Sequence, residues 1–209
     1  MPTTKHLSRT AAPETLLLSL EDTKLHLRIT TDDDDDYIES LIAAAAEACM
    51  AETGLSLINT QYCLTLNAWP AQPDNRCWWD GLREGAMTQQ HLREMTLPRP
   101  PLVSVSAIEN EDGDGNLTTY AVTHYFTDTG TPGRVILKTS APAPDGQRIK
   151  IHYTAGYGTT PESIPPALRQ GLRQMVAHMY ENRGDDAAQA MVSSGAGLLF
   201  RPFRQVSIA

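Results

Sequence analysis

The chain has 209 residues, and its 25 Asp+Glu outweigh 17 Lys+Arg for a formal charge of −8. Apolar residues make up 41% and charged residues 20%, the balance of a globular chain and not of a disordered one. The acidic excess argues against a sequence-blind DNA binder, which holds phosphates with clustered Lys and Arg.

The length predicts one domain or two small interlocked ones. No apolar run reaches the ~18 residues of a membrane span, so no membrane partner is expected. Lys5 and Arg9 precede Leu16, Leu17 and Leu18, but that apolar stretch is too short for a signal peptide. Cys49, Cys63 and Cys77 form no CxxC pair, and their odd number fits a reducing cytoplasm.

Residues 1–14 are polar, end near Pro13 and read as a disordered arm. Ser19 is placed to cap a helix over 20–28, with Asp22 as the acidic partner three residues on. The run Asp32, Asp33, Asp34, Asp35, Asp36 stands before a strong helical pattern. Tyr37, Ile38, Leu41, Ile42, Ala45 and Cys49 recur at spacings of three and four, and Gly54 marks the stop. Carboxylates there favour the helix dipole. A metal site is the less favoured reading, because consecutive side chains on one helical turn diverge and a hard cation needs converging oxygens.

After Gly54 the period falls to two. Tyr62, Leu64 and Leu66 predict a strand. Residues 67–93 read as a long irregular loop, with a possible short helix over 82–92. It holds Trp69, Trp78 and Trp79, read either as packing for the loop or as a contact with a partner protein. Met95 to Leu97, Val103 to Ala107, Leu117 to Phe126, Val135 to Leu137 and Ile149 to Tyr153 complete about six strands. Residues 112–116 (DGDGN) suit a tight turn and fail the spacing of a calcium loop.

A second helix is expected from Pro165 and Pro166 to about residue 182, with Leu168, Leu172, Met175, Val176 and Met179 as its apolar face. An alanine-rich stretch, a flexible 193–197 and the closing 198–204 (LLFRPFR) follow. That closing segment reads either as a docking peptide or as a tail folded onto its own core.

No GxSxG, HExxH, Walker or GxGxxG pattern occurs, and no cofactor or metal is expected. His124 and His152 are placed to meet across neighbouring strands, and His178 to pair with Glu181. The fold class is therefore α+β, helical at both ends (15–56 and 162–209) and antiparallel β in the middle (57–161).

Six stretches in order give the chain a family likeness: 18–28 (LSLEDTKLHLR), 33–45 (DDDDYIESLIAAA), 97–105 (LPRPPLVSV), 153–158 (YTAGYG), 176–183 (VAHMYENR) and 198–204. Together they resemble the head–tail connector (adaptor) proteins of tailed double-stranded DNA phages and related gene-transfer particles. Residues 67–93 match least. The resemblance implies a fold in which the N- and C-terminal helices form a small helical bundle with an inserted antiparallel β domain, and a structural protein of the virion's head–tail junction, assembled in the host cytoplasm. It implies a homo-oligomeric ring, typically of twelve subunits, below the portal protein, and a further head-completion or tail protein as partner. Double-stranded DNA would pass through without specific binding. Leu198, Leu199, Phe200, Arg201, Pro202, Phe203 and Arg204 become the expected portal contact, and the five aspartates an acidic lining of the DNA channel. Two other readings remain at this stage: a nucleic-acid-binding packaging accessory using Arg169, Arg173 and Arg183, and an enzyme with a pocket around His124 and His152.

Overall fold

The computed structural model describes residues 5–11, 16–69 and 93–205. The chain divides into two compact units, one from Met1–Ala12 and Thr60–Ala155 and one from Pro13–Asn59 and Gly156–Ala209.

The first unit is all antiparallel β. A five-stranded sheet has the order β1-β2-β8-β4-β5: β1 (Lys5–Arg9), β2 (Thr60–Leu66), β8 (Arg148–Ala155), β4 (Leu102–Glu111) and β5 (Leu117–Thr119). A second sheet has the order β3-β7-β6: β3 (Glu94–Thr96), β7 (Arg134–Leu137) and β6 (Tyr125–Asp128). The alternation that predicts β2 and β8 also decides which face is covered. Tyr62, Leu64, Leu66, Ile149, Ile151 and Tyr153 point into a core shared with Met95, Val135, Leu137 and Tyr125 of the second sheet.

Two expectations change here. Where a disordered arm is expected over 1–14, residues 5–9 form β1, paired along β2 from Lys5↔Leu66 to Arg9↔Tyr62. This segment has one apolar residue, Leu7, so its pairing comes from the backbone edge that β2 offers and leaves no periodic trace. The expected strand from Leu117 to Phe126 breaks into β5, a 3-10 turn at Val122–His124 and β6, because the chain there changes sheets. Asp112 anchors the preceding turn, accepting from the Asp114 and Asn116 backbone N–H groups at 2.9 and 2.8 Å.

The second unit is helical: α1 (Leu20–Leu27), α2 (Asp35–Thr53), α3 (Pro166–Glu181), α4 (Ala187–Ser193) and α5 (Ala196–Phe200). Ser19 Oγ accepts from the Asp22 N–H at 3.1 Å, the cap its residue type predicts. Gly54 ends α2 at φ 74, a left-handed position that favours glycine. Ile38, Ile42, Ala45 and Cys49 of α2 pack with Leu168, Leu172, Met175 and Val176 of α3. No helix among the described residues is long and apolar enough to cross a membrane.

The closing segment folds back on this bundle. The stretch 193–197, expected as a flexible linker, is a turn at Gly195 (φ 75) followed by the start of α5. Phe200 is fully buried against Gly171 in the middle of α3, where an added Cβ would stand 2.5 Å from the ring. Gln205 N–H then donates to the Thr53 carbonyl at 2.9 Å, capping α2 from outside.

At the start of α2, Lys24 Nζ donates to Asp32 Oδ1 at 2.6 Å and to Asp35 Oδ1 at 2.7 Å. The Lys24 hydrogen bond holds the Asp32 carboxyl below the usual carboxylate range, and the two aspartates push Lys24 up.

Two outcomes follow. Gly171→Ala gains about 1 kcal/mol of helix propensity but forces the buried ring to move, at about 1–3 kcal/mol. The substitution should lower stability in a denaturant titration, and Phe200→Ala should lower it by about 3–5 kcal/mol through the cavity. The second concerns acid. The depressed Asp32 gives stability that is complete above its unfolded pKa and lost as pH falls through the folded one. Melting temperatures measured from neutral to acid pH should fall less steeply in Lys24→Met than in the unmodified chain.

Candidate interaction surfaces

The aspartate run does not act as one surface. Asp32 and Asp35 are tied to Lys24, and Asp34 accepts from the Tyr180 hydroxyl at 2.6 Å. That bond is the main reason the Tyr180 hydroxyl titrates above its ordinary value. Only Asp33 and Asp36 are exposed without a partner among the described residues. Glu39 and Glu47 extend the exposed acidic face along α2. Among the described residues no three His, Cys, Asp or Glu side chains converge to hold a metal ion.

Two of the three arginines considered for phosphate binding are occupied. Arg173 pairs with Asp22 at 3.4 Å. The Arg183 guanidinium lies over the Tyr37 and Tyr180 rings, at 4.9 and 5.8 Å from their centroids. Arg169 is half-buried, with its Nε unpaired. Together they offer no continuous basic stripe.

The histidines take partners other than those expected. His178 pairs with Asp185 at 2.9 Å instead of Glu181, because the turn after α3 brings Asp185 back beside it. His124 lies edge-on to the Tyr120 ring, in the turn before β6. His152 lies on β8 in the other sheet, so the expected His124–His152 pair does not form. His152 Nε2 instead meets Glu109 Oε2 at 3.2 Å and Cys63 Sγ at 4.0 Å. This cross-strand cluster on β2, β8 and β4 was missed in the sequence. Its residues are 43 to 89 positions apart, and only the strand register joins them. A groove of about 400 Å³ opens beside it, lined by Thr10, Gln61, Ser106, Glu109, His152 and Thr154. The β4 register shifts, between Leu102 and Ser104 and between Val105 and Ala107, flank this region. Thiol and carboxylate both meet the same ring nitrogen, so the carboxylate does not hold the imidazole by its far nitrogen, as the third member of a nucleophilic triad does. Cys49 is a core thiol pushed up to about 12 by burial, which leaves it without nucleophilic character.

Of the tryptophans, Trp69 is buried in the β core and presents no contact surface. Trp78 and Trp79, with the rest of 70–92, lie outside the described residues.

In the closing segment the expected portal contact is divided. Phe200 is core and Phe203 packs partly against it, so neither is a free anchor. Their spacing in the sequence matches a docking peptide and a folded tail equally well; Gly171 across the bundle decides the outcome. Leu198, Arg201, Pro202 and Arg204 are exposed, with Leu199 half-buried. Arg204 makes a 3.7 Å pair with Glu52.

Comparison with known proteins bears on these surfaces. No curated protein matches the chain. Residues 16–202 match the head completion protein family. Solved structures give full-length likenesses. A chain in the virion of a native gene transfer agent (GTA) particle is 26% identical, with a TM-score of 0.73 over 97% of both chains. A chain in the neck of a native GTA particle computed with C12 symmetry is 25% identical, with a TM-score of 0.74 over 98% of this chain and 97% of that one. One in the neck of an empty GTA particle computed with C6 symmetry shares the fold at 24% identity, with a TM-score of 0.75 over 98% and 97%. With a match that runs over residues 16–202, most of its length, the chain belongs to the head completion protein family, a family of head–tail connector (adaptor) proteins.

Proposed function

We propose that this protein is a structural subunit of the head–tail junction of a virion or gene-transfer particle. It assembles as a ring of twelve copies below the portal, extends the DNA channel and carries the next head-completion or tail protein. Family membership over residues 16–202 carries this reading. The C12 and C6 symmetries of the similar necks fit a twelve-fold ring. Assembly takes place in the host cytoplasm, and the mature location is the particle neck.

The charge distribution supports a conduit for DNA. Asp33 and Asp36, continued by Glu39, are the carboxylates left free to face phosphates, and like charge keeps the duplex from adhering. The portal contact is assigned to the last turn, Pro202 and Arg204 with the exposed edge of Phe203, held in place by Phe200 in the core.

Two measurements test the reading. Electron microscopy of the protein mixed with the portal ring of the same genome should show an added ring with the portal's rotational symmetry. A portal left bare at tens of micromolar protein would overturn it. Fluorescence anisotropy with duplex DNA at physiological salt should show no binding at micromolar protein. A steep salt-dependent affinity would favour the packaging-accessory reading instead.

A further inference from the structure

Four strands end the two sheets, and no described strand pairs with their outer sides: β1 and β5 in one sheet, β3 and β6 in the other. Such an edge is a template for another extended chain. β1 is the longest of the four, with five residues against three, three and four. Its charges are also uncommitted. β5 (Leu117, Thr118, Thr119) carries no charge. Glu94 of β3 and Asp128 of β6 are both paired to Arg134, at 3.1 and 3.0 Å. On β1, Lys5 and Arg9 are exposed and form no ion pair among the described residues. Neither residues 5–11 nor β2 contain a carboxylate, so this edge is basic on a chain of charge −8.

The register fixes what this edge offers. Thr10 continues the β1–β2 pairing, its N–H donating to the Gln61 carbonyl at 2.9 Å. Hydrogen-bonded and non-hydrogen-bonded pairs alternate along an antiparallel ladder. Ser8 and His6 therefore turn their backbone groups toward β2, and Arg9, Leu7 and Lys5 turn theirs outward. The side chains of these same three residues share the face of Tyr62, Leu64 and Leu66, where Leu7 packs partly against the core. The edge thus presents free backbone groups beside a row of cation, apolar side chain and cation. An added antiparallel strand sets its own residues directly opposite that row. Carboxylates opposite Lys5 and Arg9, with an apolar side chain opposite Leu7, complement it. A second β1 does not, because pairing about Leu7 puts Lys5 opposite Arg9. The chain's own acidic stretches are committed elsewhere. Asp35 and Asp36 are helical, Asp32 and Asp34 hold donors, and Glu109–Glu111 is paired to β8 on one side and β5 on the other.

We infer that the outer edge of β1 takes an extended acidic segment of a different protein as an added strand, with an apolar residue opposite Leu7 and carboxylates opposite Lys5 and Arg9. The inference needs neither the ring nor the portal contact, which is assigned to the helical unit.

The test titrates the full chain into a fluorescein-labelled peptide, GSETVTESG, read by fluorescence anisotropy at low salt. Saturable binding is expected. Methylating the backbone nitrogen of the central valine, which points at β1 in this register, should weaken binding about tenfold. Methylating the nitrogen of the threonine before it, which points away, should leave binding within about twofold. These two arms separate strand addition from simple attraction of charge. The Lys5→Glu, Arg9→Glu chain should bind the acidic peptide about tenfold more weakly and should bind GSKTVTKSG in its place, which also shows that its edge is intact. No binding at about 1 mM chain, equal effects of the two methylations, or affinity unchanged by the charge reversal would overturn the inference. Sedimentation of the unmodified chain alone gives a last check. Self-association that the same double substitution abolishes would assign the edge to a second copy and overturn the inference as well.

Discussion

The fit of Phe200 against Gly171 governs the helical unit. A residue with a side chain at 171 would collide with the ring, and a smaller residue at 200 would leave a hole in a close-packed core. This one contact turns the C-terminal segment from a free peptide into structure. It fixes the direction of α5, and with it the outward placement of Leu198 and Arg201. It also brings Gln205 to the end of α2, where its N–H satisfies the Thr53 carbonyl. Residues near the chain's end thus cap a helix that begins near its start.

The same economy explains the aspartate run. Five adjacent carboxylates repel one another, and the bundle relieves this by giving three of them donors. Lys24 serves two and Tyr180 serves one. Arg183 stacked over Tyr37 and Tyr180 closes the cluster at the far end of α3. What is left exposed is a sparser acidic face, from Asp33 through Asp36 and Glu39 to Glu47. A run that looks like one functional feature is partly the joint between α1, α2 and α3 and partly surface.

In the β unit, chemistry is subordinate to packing. The inward faces of β2 and β8 hold the core, so their outward residues, Cys63, Lys150, His152 and Thr154, are free to make cross-strand polar contacts. Lys150 meets Glu111 at 2.7 Å, and that hydrogen bond is the main reason the Glu111 carboxyl stays below the usual carboxylate range. The His152–Glu109 pair is its neighbour along the same strands. Such ladders are worth little singly and together set the register of the sheet's open face.

Local spacing was enough for much of the architecture. The three- and four-residue recurrence through Ile38, Ile42 and Cys49, the cap at Ser19, the stop at Gly54 and the alternation at 62–66 and 149–153 each depend on residues within one or two turns, so the chain states them directly. The order of its six family-like stretches was likewise legible, because it needs no geometry. Three-dimensional pairing settled the rest. β1 exists because β2 offers an edge, Phe200 is core because Gly171 lies across the bundle, and Cys63, His152 and Glu109 meet because three strands share a register. Trp69 became core and Asp33 stayed surface for the same reason: burial and partnership depend on residues distant in the chain, and only tertiary packing brings those together.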